Sequence, residues 1–329
     1  MVQDMQDLEN GTAPAPGRHC PAHYRYGPEV FRAAPPTHLA GLDVLYVVGG
    51  LYGNEAALER TLTLFERERG RKRLVFNGDF HWFDAEPALF ERVQRTVLAF
   101  DALRGNVETE LAGDEADATH GCGCAYPEWV NDGVVERSNR ILACLRCATT
   151  AAQRRELAAL PMWLRAEVGG LAIGIVHGDA ESLAGWGFAA EHLAERVHRG
   201  RSARWFERAG VDAFACSHTC LPVFQRIGGG TRPRWVLNNG AAGMPNFEGV
   251  RSGLLTRIAL MPFEGPERHH GLRQAGVSID AIAIDYDTAT FGAMMARLWP
   301  PGSDAHASYA QRIQLGPAYS PAQALRTED

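Results

Sequence analysis

The sequence predicts an α/β fold, and three features of the chain point to it. The first half alternates apolar, strand-like runs with stretches that have the apolar spacing of helices. The second half is richer in strand-like runs. Polar residues stand where several of these runs end, at the edge of the sheet where α/β proteins bind their ligands. The 329 residues, 46% hydrophobic and 22% charged, suffice for one large domain or two small ones.

The first half is predicted to contain three buried strands separated by helices. The elements are a strand at 42–50, a helix from Asn54, a strand at 73–79, a helix at 86–98 and a strand at 99–106. Asn54 can cap the first helix with its side chain. The second strand ends at Asp79 and the third at Asn106, so both deliver a polar side chain to one edge.

The second half is predicted to begin with a loop and to continue mainly as strands. The elements are a loop at 108–133, a helical stretch at 134–158, a strand at 171–179, a helix at 203–210, a strand at 211–219, and strands at 234–243, 253–261 and 278–286. His177 and His218 stand near the ends of two of these strands.

Both ends of the chain are predicted to lie outside the main domain. Residues 1–18 are polar and Ala-Pro-rich, which indicates disorder, whereas the aromatic residues of 20–31 predict packing on the domain. The resulting organisation is an N-terminal arm, partly disordered, at 1–40, a domain at 41–300 with a loop insertion at 108–133, and a loose tail at 301–329.

Composition and charge argue against several function classes. The net charge of −6 is the wrong sign for a dedicated nucleic-acid binder. No apolar window is long enough for a membrane span, and the N-terminus has no signal-peptide pattern. Seven cysteines, an odd and scattered number, are typical of reduced thiols in a cytoplasmic protein. No feature indicates an oligomeric state.

Four polar residues at strand ends form a candidate metal site. A single buried histidine is usually a hydrogen-bonded core residue, but here Asp79, Asn106, His177 and His218 all follow apolar strands. Carboxylate and amide oxygens suit Mn²⁺ or Fe²⁺, and imidazole nitrogens add Zn²⁺ or Co²⁺. The sequence therefore predicts a site for one or two divalent ions without selecting the metal.

The order of the motifs resembles that of the calcineurin-like metallophosphoesterases. The motifs are "GLYGN" (50–54), "NGDF" (77–80), "RGNVE" (104–108), "VHGD" (176–179), "SHTC" (217–220) and "LNNGAAG" (237–243). The family pattern is D-x-H-G-N, G-D, G-N-(H/x)-(D/E), H and G-H-x-H, and the resemblance covers about residues 42–262. "RGNVE" and "NNGAAG" are most similar to the small bacterial and archaeal branch of the family.

The resemblance implies a four-layer α/β/β/α sandwich and metal-dependent hydrolysis of a small phosphorylated substrate. In the family two metals share one aspartate, which matches Asp79. The second metal also takes residues that match Asn106, His177 and His218, so this ligand set is complete, and the same three residues are the expected catalytic ones.

In the family the first metal also has ligands that it does not share with the second metal, and this sequence has a different residue at each of those positions. The matching positions are Gly50, Tyr52 and Cys220. The ligand set of the second metal is complete, whereas every unshared ligand of the first metal is changed. This difference indicates selection for one metal or for a differently ligated first site. Cys220 could ligate as a thiolate and Tyr52 as a phenolate. Alternatively, Cys220 is a small buried apolar residue and Tyr52 fills the space of the lost histidine.

Other side chains near the motifs are secondary candidates. The Cys-x-Cys pair Cys122 and Cys124, with His120, lies in a loop that could fold over the site as a metal clamp, although a glycine-rich turn with incidental thiols is the commoner arrangement. His81 and Asp84 are further possible metal ligands, and His81, Glu108 and His120 are the possible proton donors. Asp179 is expected to accept a hydrogen bond from a ligand histidine. The aromatic side chains expected either to wall a pocket or to pack in the core are Trp82, Trp129, Trp186 and Phe188.

Two function classes follow from this pattern. The retained ligands favour a metal-dependent phosphoesterase, weaker than a two-metal enzyme or changed in its reaction. The lost ligands favour a catalytically inactive member whose fold serves as a binding or scaffolding module.

Overall fold

The computed structural model describes residues 15–32, 38–113, 121–228 and 233–328. Within these ranges the strands, β1 to β13 in chain order, are His38–Leu42, Val44–Val48, Lys72–Asn77, Asp101–Leu103, Trp163–Val168, Leu171–Val176, Ala213–Cys216, Pro222–Ile227, Arg234–Asn239, Gly253–Ala259, Arg268–Gln274, Val277–Ile284 and Leu325–Arg326. The α-helices, α1 to α9, are Glu55–Glu66, Pro87–Val97, Asn106–Ala112, Asp132–Cys147, Ala151–Ala158, Ala190–Ala194, Arg196–Ala209, Thr288–Leu298 and Asp304–Leu315. Short 3-10 helices span Ala22–Tyr24, Pro28–Phe31 and Pro321–Gln323.

The strands form two mixed sheets, each with a run of three neighbouring parallel strands. One sheet has the order β1-β5-β6-β7-β9-β8-β13 and the other the order β11-β12-β10-β2-β3-β4. The pairs β2–β3, β3–β4, β6–β7 and β7–β9 are all parallel. Parallel neighbours end at the same edge of their sheet, so the residues that follow these strands are brought together.

Three hydrophobic clusters separate four layers. Side chains alternate along β2, so that Leu45 and Val47 face the other sheet while Tyr46 and Val48 face helices. The remaining outer face, that of the seven-stranded sheet, is covered by α7. The predicted α/β/β/α sandwich is therefore confirmed, and each fully buried Leu, Ile or Val of these clusters contributes about 1.5–3 kcal/mol of burial free energy.

The first predicted helices are confirmed, and the third strand is shorter than predicted. Asn54 caps α1, accepting a hydrogen bond from the backbone N–H of Ala57 at 3.0 Å. The strand predicted at 99–106 ends at Leu103, because Gly105 caps α3 and Asn106 begins it. The first residues of the predicted loop at 108–133 are consequently helical, and part of that loop, 114–120, lies outside the described residues.

The helical stretch predicted at 134–158 is two helices, α4 and α5. Thr150 separates them with a capping box: its N–H donates to the Gln153 side chain at 2.8 Å, and its hydroxyl accepts from the Gln153 N–H at 3.3 Å. Strands β1, β5, β8 and β11 were not predicted from the sequence, because they are short or interrupted by charged and polar residues.

The C-terminal segment is not the loose tail that the sequence predicts. Helix α9 packs on α4, where Arg140 forms an ion pair with Asp304 at 2.7 Å, and β13 pairs with β8. The sequence does not predict helix α9 because the helix buries few of its own side chains and therefore has no clear apolar face. At the other end Tyr24 and Phe31 are fully buried, as expected for 20–31, whereas residues 1–14 lie outside the described ranges. In the part of the chain that the structure describes, no helix has the length and apolar character needed to cross a membrane.

Candidate metal centre

Four strand-end residues meet where the two sheets come together. Asp79 follows β3, Asn106 opens α3 just beyond β4, His177 directly follows β6, and His218 lies two residues after β7. All four side chains are buried. The parallel pairing of β3 with β4 brings Asp79 near Asn106, and that of β6 with β7 brings His177 near His218, so each sheet contributes two of the four residues.

His177 lies at the centre of this group. Its Nε2 atom is 3.3 Å from Asp79 Oδ2, 3.1 Å from Asn106 Oδ1 and 3.2 Å from His218 Nδ1. Candidate ligand atoms of Asp79, His177 and His218 lie within 4.8 Å of one another, and no other group of three or more His, Cys, Asp or Glu residues in the described chain meets this criterion.

Backbone carbonyls determine which atom each side chain turns toward the centre. His177 Nδ1 lies 2.9 Å from Asn77 O, and His218 Nε2 lies 3.1 Å from Cys124 O, so each ring donates an N–H there. Asn106 donates its amide N–H to Cys122 O at 2.9 Å. The atoms left facing the centre are therefore acceptors, as in metal sites whose histidines donate their other N–H to a carbonyl.

Converging acceptors repel one another unless a proton or a cation lies between them. An amide oxygen, a carboxylate oxygen and two imidazole nitrogens form a donor set that suits Mn²⁺, Fe²⁺, Co²⁺ or Zn²⁺. The residues present therefore fit a divalent ion of this class.

The pKa shifts of the group, with no cation present, follow from burial and from the pairing of His177 with Asp79, in which a proton on His177 Nε2 takes the place between acceptors that a cation would otherwise fill. Burial by itself raises the pKa of Asp79, but the neighbouring His177 outweighs burial and leaves the pKa below its ordinary value. Burial opposes the charge of His177, but Asp79 raises its pKa overall. Burial and the proximity of His177 lower the pKa of His218 to about 3. His218 is thus neutral at physiological pH, and because its Nε2 donates to Cys124 O, the lone pair on Nδ1 faces His177.

Glu108 holds the backbone of the site and does not face the pocket. Its carboxylate accepts hydrogen bonds from the N–H groups of Asp79 and Gly105, each at 2.8 Å, and of Phe80 at 3.0 Å. This supports the left-handed conformation of Asp79, whose φ is 51°. Gly105 is required for close approach, because a Cβ there would lie 2.3 Å from Asp79 Oδ1. The expectation of Glu108 as a proton donor is therefore wrong.

A tyrosine–cysteine pair lies at the positions where the sequence comparison expected the ligands of a first metal. Tyr52 Oη lies 2.8 Å from Cys220 Sγ, and a Cβ on Gly50 would lie 2.9 Å from the Tyr52 ring. Tyr52 and Cys220 both have positive φ, at 57° and 61°. Burial raises the pKa of both groups, so the pair consists of a neutral hydroxyl and a neutral thiol. Neither belongs to the group formed by Asp79, His177 and His218.

The loop that contains Cys122 and Cys124 does fold over the site, mainly through its backbone, and the Cys124 thiol lies 3.4 Å from Asn106 Nδ2. Cys122 O and Cys124 O hold the side chains of Asn106 and His218, and the Trp186 indole also donates to Cys124 O at 2.9 Å. Burial raises the pKa of the Cys124 thiol well above its ordinary value. The third member of the suggested clamp, His120, lies outside the described residues.

Three further expectations for the site are wrong. His81 and Asp84 are fully buried and bonded to each other at 2.5 Å, and the His81 ring stacks on Phe90, away from the pocket. Asp179 accepts hydrogen bonds from backbone N–H groups of its own loop, at Glu181, Ser182 and Gly187, and does not hold His177.

A pocket of about 270 Å³ opens onto the centre, and it is lined mainly by apolar and aromatic side chains. Trp82 and Trp186 line it as expected. Trp129 is 58% exposed and contacts Trp186 from outside, and Phe188 packs in the core under α7. Helix α9 contributes Tyr309 and Ser308, which the sequence could not indicate because they lie in the predicted tail.

Comparison with known proteins identifies the fold. A crystal structure of a metallophosphoesterase from Sphaerobacter thermophilus aligns with a TM-score of 0.55 and 17% identity, covering 83% of this chain and 100% of that one. A hypothetical protein from Pyrococcus horikoshii OT3 aligns with a TM-score of 0.55 and 13% identity, covering 84% and 99%. No family model and no curated protein matches the sequence. With its two sheets flanked by helices, the chain therefore has the metallophosphoesterase fold.

Proposed function

We propose that the protein is a metal-dependent phosphoester hydrolase with a single divalent ion held by Asp79, Asn106, His177 and His218. The observation that carries the proposal is the orientation of these side chains. Three of them have their donor groups tied to backbone carbonyls, so that acceptor atoms converge at distances of 3.1–3.3 Å.

A divalent ion held there would polarise a phosphoryl oxygen and acidify a water molecule. Asn106 would both ligate and orient, because its amide N–H is held by Cys122 O. The pocket walls would exclude bulk water from the reacting group, which strengthens electrostatic interactions inside the site. His177, Asn106 and His218 are the proposed catalytic residues, and the substrate is a small phosphorylated molecule.

The Tyr52–Cys220 contact supports a single ion. Two neutral groups that satisfy each other do not leave a ligand set for a second cation in front of Gly50. One ion per chain is therefore proposed, with Cys220 and Tyr52 outside its coordination sphere. The free thiols of the described chain further support a reducing, cytoplasmic location.

Elemental analysis of the protein purified without added metal, and after incubation with Mn²⁺ or Zn²⁺, tests the proposal. We expect about one ion per chain in the wild type and none in His218→Ala. His192→Ala, a histidine outside the ligand group, is the matched control and should retain the ion. Two ions per chain would mean that the first site has been rebuilt, and no ion under any condition would contradict the hydrolase.

One observation favours a second candidate, a catalytically inactive fold that serves as a binding or scaffolding module. Tyr52 and Cys220 replace two ligand positions of the resembling family and close that half of the site. Assay of the metal-loaded protein with aryl phosphate mono- and diesters separates the two candidates. Hydrolysis that disappears in His218→Ala supports the enzyme, and stoichiometric metal without hydrolysis supports the module.

A further inference from the structure

The pocket beside the proposed metal centre has a composition that selects a class of substrate. Its described lining includes five aromatic rings, those of Tyr52, Trp82, Tyr126, Trp186 and Tyr309. Val107, Val130 and Val134 add aliphatic surface. The lining is thus an apolar, flat-walled space that continues directly from Asp79, Asn106 and His218.

The aromatic walls lie next to the ligand residues. The Trp186 ring is 5.6 Å from the His218 ring and 6.0 Å from the Tyr126 ring, centroid to centroid. Tyr309, on the C-terminal helix, is held edge-on against Phe83 at 5.1 Å. Rings held at these separations can accept a further ring in the stacked or edge-on geometry that aromatic groups prefer.

Charged groups that would recognise other substrates are missing from the described lining. It contains no lysine or arginine, and Asp79 is its one carboxylate. Additional phosphates of a polyphosphate would therefore lack cationic partners, and the hydroxyl groups of a sugar would meet mainly apolar surface.

The same lining limits the leaving group. Apart from the proposed ligands, it offers no carboxylic acid and no imidazole to protonate a departing oxygen. A phenol, whose pKa is about 10 as in tyrosine, departs as its anion far more readily than an aliphatic alcohol does.

We propose that the substrate carries a single phosphoryl group esterified to a flat aromatic group, which the aromatic pocket binds while the phosphoryl group lies at the ligand residues. This inference rests on the proposed hydrolase function. In the reaction a water oxygen forms a bond to phosphorus and the bond from phosphorus to the aryl oxygen breaks. The electron pair leaves on the phenolate oxygen, and the proton of the water passes to solvent.

Calorimetric binding of phenylphosphonate and methylphosphonate to the metal-loaded protein tests the inference without turnover, because neither compound has an ester bond to break. The two compounds have the same ionising headgroup and differ in the phenyl ring. We expect phenylphosphonate to bind at least about tenfold more tightly, since the ring exchanges water for aromatic contacts.

Two substitutions of Tyr309, on the C-terminal helix, test whether the preference for phenylphosphonate arises from the aromatic pocket. Tyr309→Ala should reduce the preference for phenylphosphonate several-fold and leave methylphosphonate binding unchanged, whereas Tyr309→Phe should retain it. Gln311→Ala, an exposed position on the same helix, is the control.

The wild-type comparison decides the inference even if the alanine variant is unstable. Equal affinities, or no binding of phenylphosphonate, would overturn the substrate class and leave the hydrolase proposal standing. Metal content is measured on the same samples, and failure to take up any ion would overturn the hydrolase proposal itself.

Discussion

The two halves of the pocket have the same backbone design but opposite side-chain chemistry. In one half, the ligand half, Asp79 has positive φ, and atoms of Asp79, Asn106 and His218 converge on His177 Nε2. In the tyrosine–cysteine half, Tyr52 and Cys220 also have positive φ, but a hydroxyl and a thiol satisfy each other. Strained backbone is kept in both halves, although only one has the donors for a cation.

This difference between the two halves shows that a turn can keep its backbone conformation whether or not its side chains can bind a metal. A positive φ in a non-glycine residue disfavours folding and persists only where the surroundings support it. The turns at Tyr52 and Cys220 are supported by core packing and by Arg312, which donates to Cys220 O at 2.7 Å. The conformation of these turns therefore does not depend on metal ligands at positions 52 and 220.

The largest expected effect comes from removing the charge of the ligand half. Asp79→Asn should lower metal affinity at least about 100-fold, since even residues that only support metal ligands are worth about 10–100-fold. Isothermal titration with Mn²⁺ or Zn²⁺ measures the change, and Asp285→Asn at an exposed position is the control. An unchanged affinity of Asp79→Asn for Mn²⁺ or Zn²⁺ would mean that the ion binds elsewhere, and the two halves of the pocket would then not differ in metal binding.

Introducing metal ligands into the tyrosine–cysteine half should make the two halves alike. The combined substitution Gly50→Asp, Tyr52→His and Cys220→His should raise the metal content from one to two ions per chain, because the backbone of these turns is already in place. Gly50→Asp alone should bind no second ion and should lose stability, because its Cβ would lie 2.9 Å from the Tyr52 ring. A triple variant that folds and still holds one ion would show that the backbone has diverged along with the side chains.

Close packing around Asp79 predicts an intermediate effect. Gly105→Ala should destabilise the protein by about 1–3 kcal/mol, because the new methyl group displaces the Asp79 carboxylate. Gly200→Ala, in helix α7 with no atom within 4 Å of the added methyl group, should instead stabilise by about 0.5–1 kcal/mol. Urea unfolding of the two variants measures both changes, and equal effects would contradict the close approach at Gly105.

The smallest effect is expected in the tyrosine–cysteine half. Tyr52→Phe removes the hydroxyl that contacts Cys220 Sγ and should cost about 1 kcal/mol or less, because the thiol also lies 3.4 Å from His218 O. Metal content should remain at one ion per chain. Loss of the ion in Tyr52→Phe would show that the tyrosine belongs to the metal site.

Much of the fold could be predicted from the sequence, because its parallel strands are buried on both faces and appear as continuous apolar runs. Strand β3, predicted at 73–79 and observed at Lys72–Asn77, and the helix after Asn54 are examples. The C-terminal helix could not be predicted, since it buries little of its own surface and depends on contacts such as Arg140–Asp304, 164 positions apart.

That Asp79, Asn106, His177 and His218 meet was predictable from the sequence, but the roles of the residues around them were not. His81 and Glu108 looked like proton donors because their side chains can titrate and they follow the motifs closely. In the structure one stacks on Phe90 and the other binds backbone N–H groups. Sequence proximity does not determine which way a side chain points after a tight turn.

The sequence by itself determined the α/β layers and the strand-end positions of Asp79, Asn106, His177 and His218, because apolar periodicity and residue chemistry are local properties. Only the tertiary structure decided which ring nitrogens face the centre. The partner of His218 Nε2 is the carbonyl of Cys124, 94 positions away, and every residue has a carbonyl, so no residue type signals it. The tertiary structure also decided the aromatic pocket, because its walls come from segments that meet only when both sheets and α9 have assembled.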